Sequence, residues 1–197
     1  MMCEKRCGFC GVHRNLCVCD RCEPITGAPA ITVLQHPSEV SQHKGTLRIA
    51  RACLAALEVV CGERPADFGS LRLSMVPAES ALLFPTTQSR PLEDAPERSA
   101  VRHWIVLDGT WRKTKKLFLS NPWLETLPAY HFAAPPRSQY RIRKSPRADG
   151  LATAEAIRQL LALVAPGTRY ERLDTAMRAL VEAELAQIPP HLRGRYE

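Results

Sequence analysis

The sequence predicts an α/β domain built on a mainly parallel sheet. Three apolar, β-branched runs predict its strands: AITVLQ at 30–35, SALLFP at 80–85 and RHWIVLD at 102–108. Segments with the spacing of a helical face lie between and after them, and strands alternating with helices are the pattern of a parallel sheet covered by helices. Ligand sites in such folds lie in loops beyond the carboxyl ends of strands, which is where His36, Pro85 and Asp108 fall.

The chain has 197 residues, 45% hydrophobic and 24% charged. That is the composition of an ordinary domain with a core and excludes a disordered tail or a fibrous repeat. No run approaches the roughly 18 to 20 apolar residues of a membrane span, and MMCEKRCGFC lacks the apolar stretch of a signal peptide. The expectation is a cytoplasmic protein with no membrane partner and no obligatory protein partner.

Taken in order, residues 1–24 hold six of the eight cysteines and little apolar material. They cannot form a core and are expected to fold around a metal, with the boundary near Pro24 and the main domain over 25–197. Strand 30–35 ends at the His36-Pro37 loop. In 46–61, Ile49, Cys53, Leu57 and Cys61 recur every four positions, which predicts one helix with both cysteines in the core. Strands 80–85 and 102–108 are separated by a polar, proline-containing loop, 86–99, with nothing to bury. A short helix follows over 112–121, an extended return over 128–136, and two closing helices over 152–164 and 169–187, the second carrying the stripe Leu173, Met177, Leu180 and Leu185.

The net charge is +7, and residues 109–148 hold nine basic side chains against one acid, Glu125. A concentrated positive segment binds polyanions by counterion release, so nucleic acid is the first partner to consider; a merely solvating face is the bland alternative. Arg112, Lys113, Lys115, Lys116, Arg137, Arg141, Arg143, Lys144 and Arg147 form this candidate RNA surface, with Tyr140 as a stacking platform among them.

Cys7-Gly-Phe-Cys10 followed by Cys17-Val-Cys19-Asp-Arg-Cys22 supplies thiolates spaced for a tetrahedral ion, with zinc the expected occupant and an iron site of rubredoxin type or a redox disulfide the alternatives. Four protein ligands leave no open position, so the site is structural. Cys7 and Cys10 form one pair; the other is Cys17 with Cys19 or Cys19 with Cys22, and spacing alone does not choose.

In LDGTWRKTKK, Asp108 ends a strand, Gly109 permits a tight turn and Thr110 is placed to cap a helix starting at Trp111. Its carboxylate is expected to face a helix N-terminus. Alone, this is also what an ordinary capping turn looks like.

Asp108-Gly109-Thr110-Trp111 resembles the signature of the DTW-domain family of tRNA-uridine aminocarboxypropyltransferases, and the resemblance extends over nearly the whole chain. It includes Cys7, Cys10, Cys17 and Cys19, the HPxE loop at His36, Pro37 and Glu39, and Leu83-Phe84-Pro85. It continues in Leu151-Ala152-Thr153-Ala154-Glu155-Ala156, similar to the family's LSTxEA helix start. Gly45-Thr46 stands where the family usually has asparagine-threonine, and Ala152 replaces the usual serine.

The resemblance implies a SPOUT-like fold with a C-terminal trefoil knot. It also implies binding of S-adenosylmethionine and transfer of its 3-amino-3-carboxypropyl group to N3 of a uridine in tRNA, and it favours Cys17 with Cys19 as the second zinc pair. Leu83, Pro85, Leu151, Thr153 and Ala156 then line the cofactor pocket, although Thr153 is also an ordinary first helix residue.

Such chemistry needs the γ carbon of the methionine chain held in line with the attacking nitrogen, and a base for the N3 proton. Asp108 suits the base, or alternatively positions the sulfonium. Trp111 offers its indole face to the cationic sulfur, or else packs in the core. His36 and Glu39 suit the methionine termini or the target base, and Lys44 and Arg48 suit a phosphate. Two rival readings remain: a methyltransferase of the same broad fold, which would release S-adenosylhomocysteine rather than methylthioadenosine, and a zinc-containing RNA-binding module without catalysis.

Overall fold

The computed structural model describes residues 5–142 and 150–196. Within these, six parallel strands form one sheet: β1 (Ala30–Gln35), β2 (Leu57–Cys61), β3 (Ser80–Leu83), β4 (Arg90–Pro91), β5 (His103–Asp108) and β6 (Ala129–His131), in the order β2-β1-β5-β3-β6-β4. The helices are α1 (Leu47–Cys53), α2 (Gly69–Ser74), α3 (Trp111–Leu119), α4 (Thr153–Val164) and α5 (Glu171–Ala186).

The period-two alternation of strand side chains divides the core between the two faces of the sheet. Ile31, Val33, Leu83, Trp104 and Val106 share one cluster with Ile49 of α1, Ile157 and Leu161 of α4, and Leu173, Met177 and Leu180 of α5. Leu34, Leu82, Ile105 and Leu107 meet Phe68, Leu71 and the α3 residue Leu117 on the other. The closing helices and the packing stripe of the last one therefore stand where the sequence predicts them.

Two expectations are corrected. The helix expected over 46–61 stops at Cys53, because Leu57–Cys61 instead pairs with β1 in the register Ile31 to Leu57 through Gln35 to Cys61. Cys53 is buried as expected, whereas Cys61 lies at the end of the edge strand and is exposed. Five consecutive residues with two adjacent valines satisfy a β ladder as readily as a helix.

The loop 86–99 does bury something. Arg90–Pro91 pairs with β6, the Leu92 amide donates to the His131 carbonyl at 2.8 Å, and Leu92 and Ala95 are almost fully buried. The Arg98 guanidinium donates to the carbonyls of Leu92, Glu93, Ala95 and Leu163, which satisfies a polar segment lying against α4.

The cysteine-rich segment is tied onto the same body. Val18 and Ile25 join the core cluster of α1, α4 and α5, the Ile25 amide donates to the Cys53 carbonyl at 2.7 Å, and Arg172 of α5 pairs with Glu23 at 3.1 Å. No helix among the described residues is long and apolar enough to cross a membrane.

Candidate active site

Because every strand is parallel, Gln35, Leu83, Asp108 and His131 end at one edge of the sheet. A cavity of about 210 Å³ opens at that edge, walled by Leu83, Phe84, Pro85, Trp111, Tyr130 and Phe132 from the sheet side and by Leu151, Thr153 and Ala156 at the start of α4. A second, more polar cavity of about 150 Å³ adjoins it, lined by Glu39, Lys44, Thr46, Asp108, Thr110 and Tyr140. Trp111, Leu151 and Thr153 belong to both. The structure thus gathers Leu83, Pro85, Trp111, Leu151, Thr153 and Ala156 around one cavity and puts Asp108 in the wall of the second, next to the shared Gly109.

Asp108 is 7% exposed. The Gln35 amide donates to its Oδ2 at 2.9 Å, because Gln35 and Asp108 face each other across the β1–β5 register. The Thr153 hydroxyl donates to its Oδ1 at 2.5 Å. The helix start that meets this carboxylate through Thr153 is that of α4. Thr110 does occupy the cap position of α3 but makes no side-chain cap bond.

Gly109 does not adopt a left-handed conformation. It is needed for close approach, since a Cβ there would lie 3.2 Å from the Lys113 Cβ and 3.6 Å from that of His36. The turn is locked to the His36 loop by the His36 amide donating to the Asp108 carbonyl at 3.0 Å.

Three residues that shape the site escape sequence reasoning. Gln35 is the one polar side chain at the end of an apolar strand, a signal that was available. Thr46 is buried and its Oγ1 accepts from the Ala154 amide at 3.1 Å. Glu155 accepts from the Ala152 amide, the Ser138 hydroxyl and the Gln139 and Tyr140 amides, at 2.6 to 3.1 Å. Glu155 therefore caps α4 where Ala152 has no hydroxyl to do so, and fastens 138–140 to the helix start.

The residues singled out for substrate divide into groups. His36 caps the short helix Pro37–Glu39: its Nδ1 accepts from the Ser38 amide at 3.2 Å, and its Nε2 lies 3.5 Å from Glu63. Glu39 is buried and paired with Lys113 at 2.7 Å. Lys116 pairs with Glu63, whose carboxyl is held below the usual carboxylate range by that hydrogen bond. Lys44 lines the polar cavity, and its carbonyl accepts from the Tyr140 hydroxyl at 2.9 Å.

Arg48 is not at this site; it donates to the Leu16 carbonyl at 2.9 Å, toward the cysteine segment. Tyr140 is 4% exposed and so is no open stacking platform. Arg112 and Lys115 line a groove beside the first cavity, Arg141 is exposed near α5, and Arg143, Lys144 and Arg147 lie outside the described residues.

The cysteines of the N-terminal segment converge as a metal site requires. The sulfurs of Cys7, Cys10, Cys17 and Cys19 all lie within 4.8 Å of one another, with Cys10 and Cys17 at 3.8 Å. Ligands 2.3 Å from a tetrahedral ion sit about 3.8 Å apart, so this cluster can hold a metal ion. Gly11, at φ 71, makes the left-handed turn that returns the chain after Cys10, with its amide donating to the Cys7 carbonyl.

Cys22 is turned to the Val18 carbonyl, 3.3 Å away, and stands outside the cluster, which selects Cys17 with Cys19. Amides of Cys10 and Phe9 pull the Cys7 thiol down to about 6, whereas burial pushes Cys19 up. Arg48, with Nε and Nη2 buried and unpartnered, offers positive charge beside this segment.

The profile of the DTW domain matches residues 4–185. The chain is 31% identical to "tRNA-uridine aminocarboxypropyltransferase 2" of Drosophila melanogaster over 158 residues, covering 76% of this chain and 61% of that protein. Proteins of the same name from Mus musculus and Macaca fascicularis are 27% and 26% identical over 166 residues, covering 80% of this chain and 56% of each. The chain thus spans somewhat less than two thirds of the curated relatives it matches. No solved structure gives a significant match. With the family profile running over nearly its whole length and the Asp-Gly-Thr-Trp turn set at the mouth of two joined cavities, the chain belongs to the DTW domain family.

Proposed function

We propose that this protein transfers the 3-amino-3-carboxypropyl group of S-adenosylmethionine to N3 of a uridine in tRNA, releasing methylthioadenosine. The observation that carries the reading is the meeting of two cavities, one walled mainly by apolar and aromatic residues and one mainly by polar residues, at Gly109, Trp111, Leu151 and Thr153, with Asp108 in the wall of the second. An adenosine suits the first, whose walls are mostly apolar and aromatic, and a charged methionine chain suits the second, beside Lys44 and Asp108. The sulfonium then falls between them, next to Trp111. The curated relatives' name supports both the tRNA substrate and the group transferred, and the reading includes a cytoplasmic location.

In the reaction the N3–Cγ bond forms, the Cγ–sulfur bond breaks, and the N3 proton goes to a base. The Gln35 amide and the Thr153 hydroxyl both donate to the Asp108 carboxylate, which suits a stationary negative charge beside a sulfonium as well as a proton acceptor. Asp108 therefore orients the donor in this reading and takes the N3 proton as the N3–Cγ bond forms. Zinc on Cys7, Cys10, Cys17 and Cys19 holds the 1–24 segment together and takes no part in the transfer. The reading includes the SPOUT-like trefoil knot that the family resemblance implies.

The test is incubation with total tRNA and S-adenosylmethionine labelled in its aminocarboxypropyl portion, followed by nucleoside mass analysis, with Asp108→Ala alongside. Labelled uridine with methylthioadenosine, absent in the variant, is expected. S-adenosylhomocysteine as by-product would turn the reading to a methyltransferase, and no product despite tRNA binding would turn it to a binding module.

A further inference from the structure

We infer that the groove between α3, the loop after β3 and the start of β6 binds the single-stranded RNA flanking the reacting uridine. This rests on the proposed RNA transferase reading. The groove measures about 1130 Å³ and shares Phe84, Pro85 and Trp111 with the apolar cavity, so whatever lies in it leads directly to the candidate reaction centre. That exceeds the roughly 300–1,000 Å³ of a usual small-molecule pocket and leaves room for more than one nucleotide.

The basic run of α3 divides by what each side chain meets. Helical spacing alone does not separate Arg112, Lys113, Lys115 and Lys116, since residues three and four apart are neighbours; their partners do. Lys113 and Lys116 are neutralised by Glu39 and Glu63. Arg112 and Lys115 are exposed, make no ion pair among the described residues, and line the groove. The positive charge left over on this helix is thus directed at the groove.

Its floor is aromatic. Phe84 lies 6.1 Å from the Trp111 ring and 5.4 Å from that of Phe118, in tilted contacts that leave part of Trp111 and Phe118 open to solvent. Rings beside unneutralised cations are the combination that binds unpaired nucleotides, through stacking on bases and attraction to phosphates. A duplex keeps its bases stacked on each other and gains nothing from such a floor. An acidic peptide would use the cations but not the rings.

The test uses the full chain and a fluorescent oligouridylate eight nucleotides long, its duplex with oligoadenylate, and an oligoglutamate peptide, with binding followed by anisotropy at several salt concentrations. Lys115→Ala and Phe118→Ala are compared with the parent, and calorimetric binding of S-adenosylhomocysteine checks that each variant is folded. The inference expects oligouridylate bound more tightly than duplex or peptide. Lys115→Ala should lower the logarithmic salt slope by about 0.7, and Phe118→Ala should weaken binding about fivefold or more. 5-Iodouridine in the oligomer should cross-link to the 111–119 peptide.

Folded variants with unchanged affinity, a cross-link elsewhere, or equal binding of duplex or peptide would overturn it. If the parent binds oligouridylate in this way but transfers nothing to tRNA, the groove stands and the transferase reading falls. If the parent transfers and Lys115→Ala leaves KM for tRNA unchanged, the groove alone falls.

Discussion

The hydrogen bond between Thr153 and Asp108 is expected to couple the two halves of the site. It joins the end of β5 to the first residue of α4 at 2.5 Å, and the carboxylate is only 7% exposed. A hydrogen bond to a charged acceptor contributes about 1.5–3 kcal/mol net, and this acceptor is too buried for water to replace the lost donor fully. Thr153→Val keeps the volume and removes the donor, and Asp108→Ala removes the acceptor. A double-mutant cycle should therefore give a coupling energy of about 1.5–3 kcal/mol. The assay is urea denaturation of the parent, both single variants and the double variant, with the midpoint moving at constant slope. Additivity within about 0.5 kcal/mol would refute the claim that this bond ties the sheet edge to α4.

Four further outcomes follow from particular contacts. Replacing Cys7 or Cys10 by Ser should abolish stoichiometric zinc and unfold the N-terminal segment, read as metal content and as proteolysis confined to residues before Pro24. Lys113→Met should destabilise the protein by about 1–3 kcal/mol in urea denaturation, because the nearly buried Glu39 carboxylate loses the Lys113 ammonium 2.7 Å away. Trp111→Ala should raise the Kd for S-adenosylmethionine about threefold to thirtyfold by calorimetry, the range of a cation–π contact.

The fourth concerns pH. The amides of Glu63 and Arg64 hold the Asp67 carboxyl below its ordinary value of 3.8. A depressed folded value gives stability that is present above 3.8 and lost as pH falls through the folded value. Asp67→Asn should flatten the dependence of stability on pH below about 4 relative to the parent, measured by acid titration of the unfolding midpoint.

The strand runs at 30–35, 80–85 and 102–108, the closing helices, the cysteine cluster and the Asp108 turn were all legible in the sequence, because each rests on short-range periodicity or spacing. Residues 57–61 were not, since four-residue recurrence matches both a helical face and a run of strand residues until a partner is known. β1 supplied that partner. Leu92 and Ala95 were hidden for the same reason: two residues of pairing with β6 bury a segment whose composition is polar. The basic run of α3 shows the limit most clearly, because charge composition counts Arg112, Lys113, Lys115 and Lys116 alike.

By itself, the sequence determined that this is an α/β domain with a cysteine cluster suited to metal and a carboxylate at a strand end. Local chemistry suffices for these, since turn residues, apolar period and ligand spacing act over a few residues. Only the tertiary structure decided that Gln35 and Thr153 hold Asp108, that Glu155 fastens 138–140 to α4, that Cys22 stands apart from the cluster of Cys7, Cys10, Cys17 and Cys19, and that Arg48 serves the cysteine segment. Those partners are separated in sequence by up to 73 residues, and a hydrogen bond or ion pair depends on distances that only the packed chain sets.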